Sequence, residues 1–507
     1  MKHIVRCFLL ALLLAVLAVV PAGAESPLLV NGDWDPKTAD EVGEMVSQAA
    51  RDYYEDGDLA VELRAEISFS SELGADGSVW EYYTLTHNGR AMRFIMEQLG
   101  EPGAGGYPLY LTLHGGGEGP SEENDAAWAD MFFYYKDFVQ DGVYVACRGI
   151  TDTWDLHFRP DSYPLYDRLI QALICLYHVD PNRVYLLGYS AGGDGVYQIT
   201  PRMADRFAAA NMSAGHPNGV SLLNLANVPF SIQVGVRDYY TEEAMRCVRG
   251  AEFERVLNEY HDWLDYGYEH QVLVHIPRGH YLVDYIDTDL IEDLYPEDAK
   301  MYRPPEILVD PSVYADPGIT GKMLNRFLDV YKQFTGDDSA MGLSYYDEEE
   351  DLAFGQMIRE VVINEFGLET KRVNCSAVAY VNRFVRDPAP PTVVWDLSTR
   401  ASSREVTSFY WLRADPSVTR GMIQARADKE TNTIVLLPVD VDGDFSVLIH
   451  PGVVDVSLPI HFILPKKEVN VQVNPSGDVL RDSMLETGDP SLAWVAEIPY
   501  SLLIGDE

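Results

Sequence analysis

A serine hydroxyl is a weak nucleophile until the chain holds it in the open beside a base. Gly188-Tyr189-Ser190-Ala191-Gly192 has the residues for that task. Its G-x-S-x-G spacing sets glycines two before and two after the serine, where a sharp strand-to-helix turn crowds the backbone. The apolar run "RVYLL" leads in and "GGDGVYQIT" can open a helix behind it. A second cluster, His114-Gly115-Gly116-Gly117, follows directly on "LYLTL". Acyl transfer builds negative charge on a carbonyl oxygen, and backbone N–H groups aimed at that oxygen stabilise it. Gly115 or Gly116 is expected to supply one such donor and Ala191, next after the serine, another. The base and the carboxylate that orients it are expected at later strand ends. "SIQVGVRD" closes on Asp238 and "VLVHIPRGH" on His280. The chain has 12 histidines. His275 falls inside a strand, His178, His261 and His270 on or beside helices, and His114 in the glycine loop. His280, just past a strand end and behind Gly279, is the best placed. The expected chemistry is therefore attack by Ser190 on an acyl carbon, with His280 as base and Asp238 behind it.

These residues need a scaffold that brings strand ends together. From Tyr107 onward, "YPLYLTLHGGG", "DGVYVACRG", "NRVYLLGYS", "FAAANMSAG", "VPFSIQVGVRD" and "HQVLVHIPRGH" are short continuous apolar runs. Helical spacing fills the gaps at residues 166–177 and 241–266. That alternation predicts a mostly parallel sheet covered on both faces, an α/β fold whose chemistry gathers at the carboxyl ends of its strands. Upstream, residues 34–60 read as helical and acidic, and residues 62–96 as antiparallel strands. From about residue 290 to 387 the pattern loosens around Pro296, Pro304, Pro305, Pro311 and Pro317, with a helical stretch near 347–366. "RDPAPP" at 386–391 reads as a linker. Beyond it, "TVVWDL", "SFYWLRA", "GMIQARA", "TIVLLPV", "FSVLIH" and "EVNVQV" predict a C-terminal all-β, sandwich-like module. The expected division is a leader at 1–24, a catalytic domain with its lead-in at 25–295, an acidic connector at 296–387 and the β-module at 388–507.

Residues of about 105 to 285 resemble the α/β-hydrolase superfamily, in its esterase, polyhydroxyalkanoate-depolymerase-like and prolyl-oligopeptidase-like branches. The match is carried by "LHGGG" at 113–117, "GYSAGGDGVY" at 188–197, "VGVRD" at 234–238 and "RGH" at 278–280. The resemblance implies the fold, the chain order Ser, Asp, His and an acyl-enzyme mechanism. It leaves the substrate open, because such branches share motifs and differ in pocket loops. Strand-end loops place Trp128, Trp154, His157, His216 and Tyr281 as candidates to line a pocket.

Other features narrow the function. The formal charge of −41 argues against nucleic-acid binding and against polyanionic substrates. Lys2 and Arg6, the apolar run at 8–20 and Ala22-Gly23-Ala24 read as a cleavable signal peptide, so the mature chain is expected to be secreted or periplasmic, without membrane insertion. Cys147, Cys175, Cys247 and Cys375 follow the leader and form no CxxC pair, and their pairing is open. "DVDGD" at 440–444 has its glycine at the fourth place of a would-be calcium loop and reads better as a β-turn. No metal or cofactor is expected. Carboxylic-ester hydrolysis, on a small or polymeric ester, is the leading reading. A prolyl-oligopeptidase-like peptidase would use the same residues, although little chain precedes the HGGG strand to form a propeller. A non-catalytic polymer- or surface-binding protein is the third.

Overall fold

The structure, a computed structural model, describes residues 27–30, 32–33, 38–54, 57–73, 79–235, 238, 246–276, 278–280, 282, 306–308, 322, 326, 329–330, 332–333, 348–367, 370–372 and 375–505. Residues 1–24, expected from the sequence to be a leader, and Tyr281 lie outside them.

An 11-stranded sheet forms the centre. Its strands are β2 (Ile67–Leu73), β3 (Val79–His87), β4 (Arg90–Leu99), β5 (Tyr107–Leu113), β6 (Gly142–Cys147), β7 (Val179–Tyr189), β8 (Ala209–Ser213), β9 (Phe230–Gly235), β10 (His270–Ile276), β11 (Glu306–Leu308) and β12 (Thr370–Arg372), while β1 (Leu28–Val30) lies elsewhere. Across the sheet the order is β12-β11-β10-β9-β8-β7-β5-β6-β4-β3-β2. The stretch from β10 to β6 is parallel throughout, and the flanking pairs are antiparallel. An antiparallel lead-in, the exchange of β5 and β6, and the parallel run after them make this the α/β-hydrolase fold. Asn88 and Gly89, both at positive φ, turn β3 into β4 as a two-residue hairpin requires.

The continuous apolar strands follow from burial on both faces. On β5, Leu109, Leu111 and Leu113 join the core with Leu165, Leu169 and Leu173 of the helix Ser162–Tyr177 and Val196 of the helix Ala191–Ile199. Tyr110 faces the other way, into a cluster with Trp128 and Met131 of the helix Ser121–Tyr134. In register with it, Tyr144 and Tyr185 add a tyrosine row, and the Tyr110 and Tyr185 rings stand 5.3 Å apart. Each fully buried Leu contributes roughly 1.5–3 kcal/mol.

Two more sheets build the C-terminal part. One is six-stranded, in the order β1-β20-β19-β17-β16-β13, with β13 (Thr392–Asp396), β16 (Met422–Asp428), β17 (Thr433–Val439), β19 (Ile460–Ile463) and β20 (Glu468–Val473). The other is four-stranded, with β14 (Ser408–Phe409), β15 (Leu412–Ala414), β18 (Phe445–Ile449) and β21 (Ala496–Pro499). The run "SFYWLRA" is split in two because Tyr410 takes positive φ. The helix Gly477–Thr487 is inserted between β20 and β21 and the helix Tyr500–Ile504 follows β21, beyond the all-β pattern that the sequence suggests. Within "DVDGD", Asp442 accepts from the N–H groups of Thr419 and Arg420, and Asp444 from that of Ser501.

Candidate active site

Ser190 sits between β7 and the helix Ala191–Ile199 at φ 58°, ψ −121°. Such a conformation costs about 1–3 kcal/mol and persists only where the surroundings enforce it. Here the Ser190 N–H donates to the Ser213 carbonyl at 2.9 Å, and the Ser190 carbonyl accepts from Asp194 N–H at 3.0 Å. A side chain at Gly188 would overlap the Gly192 carbonyl, and one at Gly192 would overlap that of Leu113. Both glycines are required by close backbone approach. The apolar strand thus ends by presenting a hydroxyl above the sheet.

The loops after β9 and β10 bring the other two groups to it. Ser190 Oγ lies 2.8 Å from His280 Nε2, and His280 Nδ1 lies 3.0 Å from Asp238 Oδ2. A carboxylate only accepts, so Nδ1 carries the imidazole proton and Nε2 is left to accept from the serine hydroxyl. The Asp238 side chain is 0% exposed and that of His280 is 18% exposed. A side chain at Gly235 would overlap the Gly279 carbonyl, so glycine lets these two loops close on each other. Tyr189 packs its ring 5.4 Å from that of His280 and donates from its hydroxyl to the His280 carbonyl at 3.1 Å.

The glycine loop lies against the serine. A Cβ at Gly115 would stand 3.6 Å from Ser190 Oγ. His114 is fully buried, and its ring sets the loop's course. Its Nε2 accepts from Gly149 N–H at 3.0 Å, so Nδ1 is the donor, to the Gly115 carbonyl at 2.5 Å. Burial pulls His114 down to about 3, with the Gly115 contact opposing, which keeps this tautomer neutral. With the Gly115 carbonyl turned to that ring, a planar trans peptide turns the Gly116 N–H the opposite way. Ala191 opens its helix, so its N–H has no partner within the helix. Gly117 N–H donates to Asn124 Oδ1 at 2.7 Å, and Asn124 Nδ2 donates to Asp152 at 3.1 Å. Arg148, at the tip of β6, pairs with Asp152 and with Asp125. Burial pushes the Asp152 carboxyl up, but the Arg148 guanidinium outweighs it and holds the carboxyl below its ordinary value.

The pocket candidates fare unevenly. Trp128 is 1% exposed and donates its indole N–H to the Ala146 carbonyl at 2.8 Å, inside the core between helix and sheet. His157 is buried as well, its Nε2 donating to the His114 carbonyl at 2.8 Å. Both residues brace the scaffold and offer no face to a substrate, which corrects the expectation from the sequence. Loop position alone did not tell an inward side chain from an outward one. Trp154 is 47% exposed, and its Cα lies 2.9 Å from where a Gly117 side chain would begin. It borders the glycine loop. His216 is half-buried, its N–H donating to Asp194 Oδ1 at 2.6 Å. Cys147 is buried, and burial pushes its thiol well up. The Cys247 side chain lies outside the described residues.

Sequence reasoning passed over four polar residues that hold this site: Asn124, Arg148, Asp194 and Arg246. Asp194 sits in the first turn behind Ser190 and ties down the loop after β8 through His216 and Asn218. Its burial raises the carboxyl above the ordinary value, against those hydrogen bonds. An acid four residues after the serine, in the first turn of the expected helix, was the one signal for it in the sequence.

No family model matches this chain, and no curated protein matches its sequence. Solved structures with a similar course include an acetyl xylan esterase from a Paenibacillus species, 12% identical over 48% of this chain and 92% of that one, with a TM-score of 0.27. An S-formylglutathione hydrolase from Agrobacterium tumefaciens is 16% identical over 42% and 91%, with a TM-score of 0.29. A protein titled as a dipeptidyl aminopeptidase IV from Bacteroides ovatus is 12% identical over 43% and 41%, with a TM-score of 0.28.

Proposed function

We propose that this chain, with its α/β-hydrolase fold, is a serine hydrolase that cleaves carboxylic esters through Ser190, His280 and Asp238. What carries the reading is the unbroken hydrogen-bond chain from Ser190 Oγ through the His280 ring to Asp238, at 2.8 and 3.0 Å, beside the glycine loop. In the proposed reaction His280 Nε2 takes the hydroxyl proton as Ser190 Oγ bonds to the acyl carbon. The carbonyl oxygen then carries negative charge, stabilised by N–H groups of Ala191 and of Gly115 or Gly116, with Gly116 favoured by the orientation of its peptide. His280 passes its proton to the departing alkoxide, which leaves as the alcohol and an acyl-Ser190. Water repeats the sequence from the other side, with His280 again as base, and releases the acid. Asp238 fixes the imidazole tautomer and stabilises the imidazolium. Trp154, exposed beside the glycine loop, is a candidate wall for the substrate, with His216 and Tyr281 kept as further candidates.

The leader belongs to the same reading. An enzyme acting outside the cytoplasm should begin at Glu25 when isolated from its host, which N-terminal sequencing checks. Among the described residues no helix is long and apolar enough to cross a membrane.

Residues 25–507 should hydrolyse short-chain nitrophenyl esters, and Ser190→Ala should lose on the order of 10⁴- to 10⁶-fold in kcat. Hydrolysis of Gly-Pro-arylamides in preference to esters would favour a peptidase. Failure of a fluorophosphonate probe to label Ser190 would remove catalysis altogether.

A further inference from the structure

A buried carboxylate needs partners for both oxygens. Asp238 gives Oδ2 to His280, and its Oδ1 lies 3.0 Å from Arg246 Nη1, so the second partner is a cation. Arg246 is the first residue of the helix Arg246–Leu264, and its own N–H donates to the Asp238 carbonyl at 3.2 Å. Backbone and side chain of Arg246 therefore both hold Asp238. The Arg246 side chain is 15% exposed, and its Nε is buried with no hydrogen-bond partner among the described residues.

We propose that Arg246 is a positioning residue of this site: its guanidinium fixes the Asp238 carboxylate and offsets part of the negative potential that this carboxylate imposes on His280. The inference rests on the hydrolase reading above. Arginine keeps its charge at any pH the protein survives. Other charges face the same place. Asp194 from the helix after Ser190 lies within the field of Arg246 and of His216, and Arg278 stands two residues before His280 with its field falling on His275. Tyr189 covers the His280 ring without adding charge. Beyond these, the protein's net charge of −41 adds a negative background field. A base must be neutral to accept the serine proton. A fixed cation behind the carboxylate opposes positive charge on the His280 ring and so favours the neutral base. It gives up some stabilisation of imidazolium in the transition state in return.

The test separates charge from hydrogen bonding. Arg246→Gln retains a donor without the charge, Arg246→Met removes both, and Arg246→Lys retains the charge. The acid limb of kcat/KM on a nitrophenyl ester should move to higher pH by about 0.5 to 1 unit in Gln and Met variants. It should stay within about 0.2 units of the parent in the Lys variant, and kcat should fall most for Met. NMR titration of 13C-labelled histidine, with the His280 resonance assigned from His280→Gln, should show the same displacement of its midpoint. That readout needs no turnover, so it tests Arg246 even if ester hydrolysis is absent. Unchanged limb and midpoint in both uncharged variants would overturn the proposal, as would an equal shift in Arg246→Lys.

Discussion

Asn124 shows how much of this site hangs on one side chain outside its chemistry. Its Oδ1 takes the Gly117 N–H and its Nδ2 reaches Asp152, which Arg148 holds from the far side. The backbone of the glycine loop is thereby fixed at both ends, at Gly115 by His114 and at Gly117 by Asn124. Asn124→Ala would leave a part-buried N–H without its acceptor, a cost of about 1–3 kcal/mol. We expect kcat to fall by roughly 10- to 100-fold with KM little changed, because a donor moved off the oxyanion weakens only the transition state. Steady-state kinetics on a nitrophenyl ester would show it, and an unaltered kcat would dissociate Asn124 from the loop's position.

At the scale of elements, the parallel strands and their crossover helices decide where loops emerge. The crossover Ser162–Tyr177 ends at His178, an exposed residue in the left-handed region at φ 54°. Its carbonyl accepts from Tyr107 N–H at 2.8 Å, so the stop of the helix also sets the start of β5. A residue with a Cβ in that conformation costs roughly 1–2 kcal/mol, part of which glycine returns as greater freedom in the unfolded chain. His178→Gly should therefore stabilise the protein by about 0.5–1 kcal/mol with activity unchanged. Urea denaturation measures this, and a lower midpoint would mean that the imidazole has a packing role.

Across the whole molecule, the 11-stranded α/β core and the C-terminal β-sheets are joined by buried ion pairs. Arg404 makes two contacts to Asp205, at 2.9 and 3.0 Å, and two to Asp167, at 2.7 and 3.2 Å, which Arg206 also meets at 2.7 Å. Arg386 joins Asp489 at 2.6 Å and also reaches the Asp205 carbonyl. The strand Leu28–Val30, from the far N-terminal side, pairs with β20 of the module. The proposed division at 388 is thus a boundary of pattern across a continuous interface. Breaking such a network by removing one partner costs about 3–5 kcal/mol, because a charge is left buried and alone. Burial pushes the carboxyls of Asp167 and Asp489 up, but their arginines outweigh it and hold both below the ordinary value. The stability they contribute is present above the unfolded carboxyl range, near pH 4, and is lost as pH falls through the lower folded values. Arg404→Met should lower the urea midpoint at neutral pH and move the acid-unfolding midpoint to higher pH. Tryptophan fluorescence would follow both, and an unchanged acid midpoint would remove the network from the pH response.

Much was open to reading in the residue order alone. Turn chemistry and the alternation of apolar runs with helical spacing act over a few residues, so β5 to β10, the glycine-flanked turn at Ser190 and most strands of the module stand where the pattern puts them. The split at Tyr410 and the helices among the module's strands were not legible, since neighbours distant in the chain override local preference there. The same limit applies to side chains. That Ser190, Asp238 and His280 each follow shortly after a strand is written locally; that Trp128 and His157 point inward depends on what packs above them. Arg246 behind Asp238, Asn124 behind Gly117 and Arg404 between Asp167 and Asp205 come from the tertiary structure alone. Charges and hydrogen bonds act through space, and nothing in the order of residues says which polar group will stand opposite which.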